Sequence, residues 1–149
     1  VYDLLAVGAR MQEVRDRLAR EMGVTGPQYA ILMTIFHLQE EFSGPGVRAV
    51  ARRLHVSGPF VTTQSRFLVN EGLVEKKPNP LDGRGVWLCL TEEGSRRIAH
   101  TAELSQKAND AFFGSLDSVH FLVLSDIATR LEKSSDRAVR ALNEPTKPV

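Results

Sequence analysis

Cysteine is almost absent from this sequence, and long apolar runs are missing altogether. The 149 residues include one cysteine, Cys89, so no disulfide can form within the chain, and a reducing compartment is expected. No apolar run approaches the roughly 18 residues that a membrane-spanning helix needs. The first residues contain neither the basic segment nor the cleavage site of a secretory signal. We therefore expect a cytoplasmic protein that does not enter a membrane.

Sequence patterns of the common catalytic and metal sites are also missing. The chain contains no G-x-S-x-G elbow, no Walker phosphate loop, no dinucleotide-binding glycine pattern and no H-E-x-x-H zinc motif. Its four histidines are His37, His55, His100 and His120. None of them lies three or four residues from another His or from the cysteine, so no local pair of metal ligands is present. We expect no enzyme, no bound metal and no cofactor.

The charge of the chain is unevenly distributed. The net charge is only +1, yet residues 47–97 contain nine Arg and Lys against five acids, a balance of +4. Residues 1–46 contain four against six, and residues 98–149 contain six against seven. A basic segment within a nearly neutral single domain is typical of a nucleic-acid-binding surface.

The basic segment begins with two predicted helices joined by a short turn. In the first, the apolar residues Val47, Val50, Ala51 and Leu54 recur at helical spacing, with arginines on the other side at positions 48, 52 and 53. The second is predicted from about Ser57 to Glu71. Ser57 is a good N-cap, Pro59 is tolerated in a first turn, and Gly72 can end the helix in a left-handed conformation. This spacing predicts a helix-turn-helix.

The second of these helices is predicted to have two distinct faces. The inward-pointing residues are expected to be Phe60, Val61, Phe67 and Leu68. The opposite face is expected to contain Gly58, Pro59, Thr62, Thr63, Arg66 and Asn70, with Val69 as the one aliphatic residue among them. Small hydroxyl side chains permit close approach, and a guanidinium can bond both acceptors of a guanine edge, so this face suits a DNA major groove. The alternative is an ordinary solvent-exposed helix face.

A two-stranded hairpin is predicted to follow. Residues 73–77 and 86–90 can pair as antiparallel strands, with Val86, Leu88 and Leu90 alternating onto one buried face. Residues 78–85 between them are rich in Pro, Gly and Asn and include Arg84 at the tip. A helix-turn-helix followed by a basic hairpin is a winged helix.

These residues resemble the signature of the MarR family of transcriptional regulators. The resemblance consists of Asp82-Gly83-Arg84 in the wing, then Val86, Leu88, Leu90-Thr91 and Gly94, with Gly72-Leu73-Val74 after the helix. It covers nearly the whole chain. Gln64 and Ser65 depart from the pattern, because relatives usually have aliphatic residues there, and Gln64 needs a hydrogen-bond partner or access to solvent.

The resemblance implies a mainly α protein with a small β-hairpin wing. Residues 25–97 form the winged-helix lobe, residues 1–22 and 98–143 form dimerisation helices, and residues 144–149 form a tail. Apolar seams on the terminal helices support a homodimer. The expected interface residues are Leu4, Met11, Leu124, Ile127 and Leu131. The alternative is that both seams pack against the chain's own core.

The expected partner is a pseudo-palindromic double-stranded DNA operator. The expected DNA contacts are Ser57, Pro59, Thr62, Thr63, Arg66, Lys76, Lys77 and Arg84. Arg66 is expected to read a base and Arg84 to enter the minor groove, and the resemblance assigns Asp82 the task of orienting Arg84. The alternative for the whole set is a solvated basic surface. Cys89 is expected to pack within the wing, and the alternative for it is a redox-sensing thiol.

The resemblance also implies a repressor that is released by a small, often aromatic or phenolic, ligand. The expected effector-binding residues are Met11, Arg15, Met33 and His37, of which the two methionines could instead fill the core. A competing function is a winged-helix module that contacts proteins or shapes DNA without sequence specificity.

Overall fold

The computed structural model describes residues 1–39, 44–79 and 85–143. Within these ranges the chain forms six helices and two strands. Their order is α1 (Tyr2–Glu21), α2 (Gly26–Gln39), α3 (Val47–Leu54), α4 (Gly58–Asn70), β1 (Val74–Pro78), β2 (Val86–Leu90), α5 (Glu92–Phe113) and α6 (Ser118–Asn143). The mainly α winged-helix architecture is confirmed. The chain divides into two compact units, Val1–Gln106 and Lys107–Val149.

Helix α2 is the centre of the first unit. Ile31, Leu32 and Ile35 are fully buried, and α2 contacts α1, α3, α4 and β2. Its apolar residues extend nearly all round, as the sequence predicts for a central helix. The helix begins at the predicted capping box, where the backbone N–H of Thr25 donates to Gln28 Oε1 at 3.0 Å. Local signals thus determine where the central helix starts.

Helices α3 and α4 form the predicted helix-turn-helix. The turn is made by His55, which has a left-handed backbone with φ of 52°, and by the N–H of Val56 donating to Ala51 O at 3.0 Å. Ser57 Oγ accepts from the N–H of Phe60 at 3.3 Å and caps α4. Gly72 follows α4 with φ of +68°, a conformation that costs glycine little. Both ends of α4 form for the predicted reasons.

The two strands pair antiparallel, with Val74 opposite Leu90 and Pro78 opposite Val86. On one face Leu88 and Leu90 are buried, but Val86 is 41% exposed, so the predicted apolar face is buried only towards its end. On the other edge of β2, Pro45 O accepts from the N–H of Leu88 at 2.9 Å. Leu73, which was expected in the strand, precedes it.

The segment before α3 also covers the single cysteine. Cys89 is 3% exposed, and a Cβ added to Gly44 would lie 2.8 Å from its Sγ. Burial raises the pKa of the Cys89 thiol, because a thiolate is poorly solvated there. The side chain of Cys89 therefore packs against Gly44, in the segment before α3.

Thr91 and Gly94 join the hairpin to α5. Thr91 Oγ1 donates to Gly72 O at 2.6 Å and accepts from the N–H of Gly94 at 3.0 Å. A Cβ at Gly94 would overlap the carbonyl oxygen of Leu73. One hydroxyl thus ties the end of α4 to the start of α5, and a glycine permits the close approach, which gives the Leu-Thr-x-x-Gly pattern a structural reason.

The second unit contains the end of α5 and all of α6. The rings of Phe113 and Phe121 meet edge to face with centroids 5.6 Å apart. Asp117 caps α6, because its Oδ1 accepts from the N–H of His120 at 2.8 Å. Within the described ranges no single helix is long and apolar enough to cross a membrane, and α5 and α6 reach that length and composition only as a bent pair.

Candidate nucleic-acid interface

The outward face of α4 is polar and contains no carboxylate within the helix. The predicted members Pro59, Thr62, Thr63, Arg66 and Asn70 are all exposed. The opposite face is buried, with Val61 at 0% and Leu68 at 1% exposure. The chain therefore presents one cation, two hydroxyls and one amide from a single rigid helix.

The predicted inward positions of Phe60 and Phe67 are wrong. Phe60 is 38% exposed and Phe67 is 53% exposed. The third buried position of α4 belongs to Ser65, which is fully buried and donates its hydroxyl to Thr62 O at 3.2 Å. A hydroxyl that bonds within its own helix can be buried at little cost.

The stripe of Val61, Ser65 and Leu68 thus faces the core. The two aromatics each precede a buried residue by one position and so lie about 100° away. Hydrophobicity favours Phe over Ser at an inward position. The spacing of four and three residues from Val61 to Ser65 to Leu68 was the available signal. Gln64, the other departure from the family pattern, is half-buried and so keeps access to solvent.

Two hydroxyls of the expected contact set also serve the helix itself. Ser57 Oγ caps α4, and Thr62 Oγ1 donates to Gly58 O at 3.0 Å. Ser57 can still donate its proton and Thr62 can still accept a bond, because a hydroxyl has one donor and two acceptor sites. Thr63 and Arg66 lie on the same exposed surface.

Helix α3 adds positive charge beside α4. Arg48, Arg52 and Arg53 are exposed, whereas Val50 and Ala51 on the other side are buried. The sequence predicts this division correctly. Arginines on the first helix of a helix-turn-helix are placed to contact a DNA backbone, which that helix crosses.

The two lysines of the hairpin lie on opposite faces of β1. Lys76 is opposite Leu88 and Lys77 is opposite Trp87 in the strand pairing, and successive side chains of a strand point to opposite faces. Lys77 Nζ is 2.8 Å from Glu75 Oε1, and this hydrogen bond raises the pKa of Lys77. Lys76 and Lys77 therefore differ in direction and in environment. Asp82 and Arg84 lie outside the described residues.

The expected effector-binding residues lie on α1 and α2. Met11 and His37 are exposed, whereas Arg15 and Met33 are half-buried. Arg15 Nη2 is 3.0 Å from Asp16 Oδ1, so an anion at Arg15 would share that guanidinium with a carboxylate. Met33 packs against the core, which is the alternative that the sequence left open for it. In the described ranges no three His, Cys, Asp or Glu side chains are grouped to hold a metal ion.

Comparison with known proteins finds a family likeness over part of the chain. Residues 24–86 match the family model described as the MarR family. A curated relative, an uncharacterized HTH-type transcriptional regulator of Mycobacterium leprae, is 27% identical over 85 residues. That match covers 55% of this chain and 59% of the relative's length.

Solved structures share the fold over most of the chain. The Staphylococcus aureus MepR–DNA complex has a TM-score of 0.76 at 18% identity, covering 89% of this chain and 94% of that one. CouR from Rhodococcus jostii RHA1, bound to p-coumaroyl-CoA, has a TM-score of 0.78 at 20% identity, covering 87% and 88%. At identities this low, the structural likeness establishes a shared fold and nothing more.

Proposed function

We propose that this chain is a MarR-family regulator that binds double-stranded DNA at specific sequences as a repressor, a proposal supported by the match of residues 24–86 to the MarR family model. The observation that carries the proposal is the exposed surface of α4. Thr62, Thr63 and Arg66 are directed outward from a helix-turn-helix, and no acid lies within that helix face. These side chains offer the hydrogen-bond donors and acceptors that major-groove base edges require.

The surrounding charge supports DNA as the partner. The segment 47–97 has a charge of +4 in the sequence, and the exposed arginines of α3 lie beside α4. DNA backbone contacts from Arg and Lys supply much of the affinity, while base contacts supply the specificity. The MepR relative was solved as a DNA complex, which supports the same role for this fold.

The protein acts as a homodimer in this proposal. Helix α6 exposes apolar side chains along its length, including Leu124 at 39%, Ile127 at 47% and Leu131 at 51%. Helix α1 does the same over its first half, with Leu4 at 61% and Met11 at 48% exposure. Extended apolar surface of this kind is uncommon on a monomer and is typical of an interface. A second copy would cover these helices and set two α4 helices about one DNA turn apart.

Release by a small ligand is the remaining part of the proposal. The CouR relative was solved with p-coumaroyl-CoA, an observation that favours an aromatic acid derivative. Arg15 offers a positive charge, and His37 is exposed beside the edge of Phe36, with ring centroids 5.4 Å apart. A ligand that favours a dimer with the wrong α4 spacing would lower DNA affinity by shifting the population of the two states.

Selection of bound duplexes from a random DNA pool at near-physiological salt tests the function. We expect an enriched inverted repeat whose half-sites are about one helical turn apart. That duplex then serves as the probe for screening aromatic acids as releasing ligands. Failure of a folded, dimeric protein to enrich any sequence would refute sequence-specific binding and favour the protein-interaction module.

A further inference from the structure

Phe60 and Phe67 form an exposed apolar strip on α4, which we call the aromatic edge. Their exposures of 38% and 53% leave two large rings in contact with solvent on a helix whose inner face is already filled. The rings are seven residues apart, so they lie on the same side of the helix about 10 Å from one another along its axis. Packing in the core therefore does not explain why phenylalanine occupies these two positions.

The aromatic edge directly borders the exposed polar surface of α4, which we call the reading face and which includes Thr62, Thr63 and Arg66. Thr63 is three residues after Phe60 and four residues before Phe67, and residues at these spacings are neighbours on a helix surface. A surface that contacts Thr63 therefore also approaches at least one of the two rings. DNA in contact with the reading face would meet the aromatic edge at its margin.

Charge distinguishes the two rings. Phe60 lies in the first turn of α4, where the helix dipole favours approach of phosphates. Phe67 is four residues before Glu71, an exposed carboxylate at the other end of the helix. A recognition helix places its N-terminal residues against base edges, so Phe60 is the ring that a bound duplex can reach.

We propose that Phe60 packs against the 5-methyl group of a thymine in each half-site. The thymine methyl is the only apolar group that base pairs present in the major groove, and a Phe side chain is one of its recognised partners. Phe60 is then a specificity-determining residue, and the operator contains a T·A pair beside the base pairs contacted by Thr63. This inference rests on the proposed function, because it concerns the same surface.

Replacing thymine by deoxyuridine tests the contact, because the change removes the methyl group and leaves base pairing intact. The probe is the duplex enriched by selection, with each thymine of one half-site replaced in turn. We expect one replacement to weaken binding by wild-type protein by about 4-fold, the effect of losing one buried methyl group. The same replacement should have no effect on the Phe60→Ala variant. Phe67→Ala is the matched control and should keep the full 4-fold effect.

Phe60→Leu provides a second variant that keeps an apolar contact, and it should retain part of the discrimination if Phe60→Ala binds too weakly to measure. Thermal melting checks that all three variants fold. The proposal is overturned if no deoxyuridine weakens wild-type binding, or if the effect persists in Phe60→Ala. It is also overturned if Phe67→Ala abolishes the effect. Failure of the proposed function would differ from all of these, because selection would then enrich no duplex.

Discussion

Arg66→Ala should relax the base preference at one position of each half-site. Arg66 is exposed on the reading face of α4, and a guanidinium bonded to both acceptors of a guanine contributes about 1–3 kcal/mol of discrimination. The wild-type protein should therefore prefer guanine at that position by about 5- to 150-fold. The variant should bind all four bases there with similar affinity, because alanine contacts none of them specifically.

Fluorescence anisotropy on a set of labelled duplexes measures this effect. Each base pair of one half-site is changed in turn, and the dissociation constants of wild-type and variant protein are compared position by position. Arg52→Ala on α3 is the matched control, because it removes an exposed arginine that faces the DNA backbone in the proposed complex. It should weaken binding to every duplex alike and reduce the slope of log K against log salt by about 0.9.

A uniform loss of affinity in Arg66→Ala, with the position-by-position profile unchanged, would refute the reasoning. Arg66 would then be a phosphate contact like Arg52, and base readout would have to come from other residues of α4. A variant that unfolds would be recognised by its melting curve. Unfolding is not expected, because Arg66 lies on the exposed face of the helix.

Three further predictions concern assembly and stability. Replacing both Leu124 and Ile127 by aspartate should give monomers in light scattering, because charge would enter an apolar interface. Thr129→Asp on the opposite face of α6 is the control and should leave a dimer. If the double variant remains a dimer, the interface lies elsewhere. Gly94→Ala should lower the free energy of unfolding by about 1–3 kcal/mol, because a Cβ there overlaps the Leu73 carbonyl. Gly58→Ala is the control and should lower it far less, because nothing lies within 4 Å of its added Cβ. Equal losses in the two variants would contradict the close packing at Gly94. Hydrogen bonds from Arg97 and Arg96 lower the pKa of Glu93 below its ordinary value of 4.5. The wild-type protein should therefore be more stable than the Glu93→Gln variant above that pH, and the difference should vanish as the pH falls through the lowered pKa. A difference in melting temperature that grows in acid would contradict this assignment.

Most of the fold could be predicted because its signals are local. Ser57, Gln28 and Gly72 each act within a few residues of the helix end that they define, and all three adopt the predicted roles. The hairpin pairing follows from two short segments separated by a turn-rich stretch, of which the second, Val86–Leu90, is apolar. The contact of Pro45 with β2 could not be predicted, because it joins residues far apart in the sequence.

The candidate site could be predicted in part. The polar face of α4 follows from helical periodicity, but the position of its neighbours does not follow from hydrophobicity. Phe60 is exposed, whereas Ser65 is buried. Ser65 can be buried because its hydroxyl donates to the backbone oxygen of Thr62. The roles expected of Asp82 and Arg84 remain predictions.

The most direct test of sequence-specific regulation is a comparison of two affinities. The enriched inverted repeat and a duplex of the same composition in shuffled order are titrated with the protein at one near-physiological salt concentration. We expect the repeat to bind about 10³-fold tighter or more, as is typical of specific operators. Equal affinities for the two duplexes would contradict it.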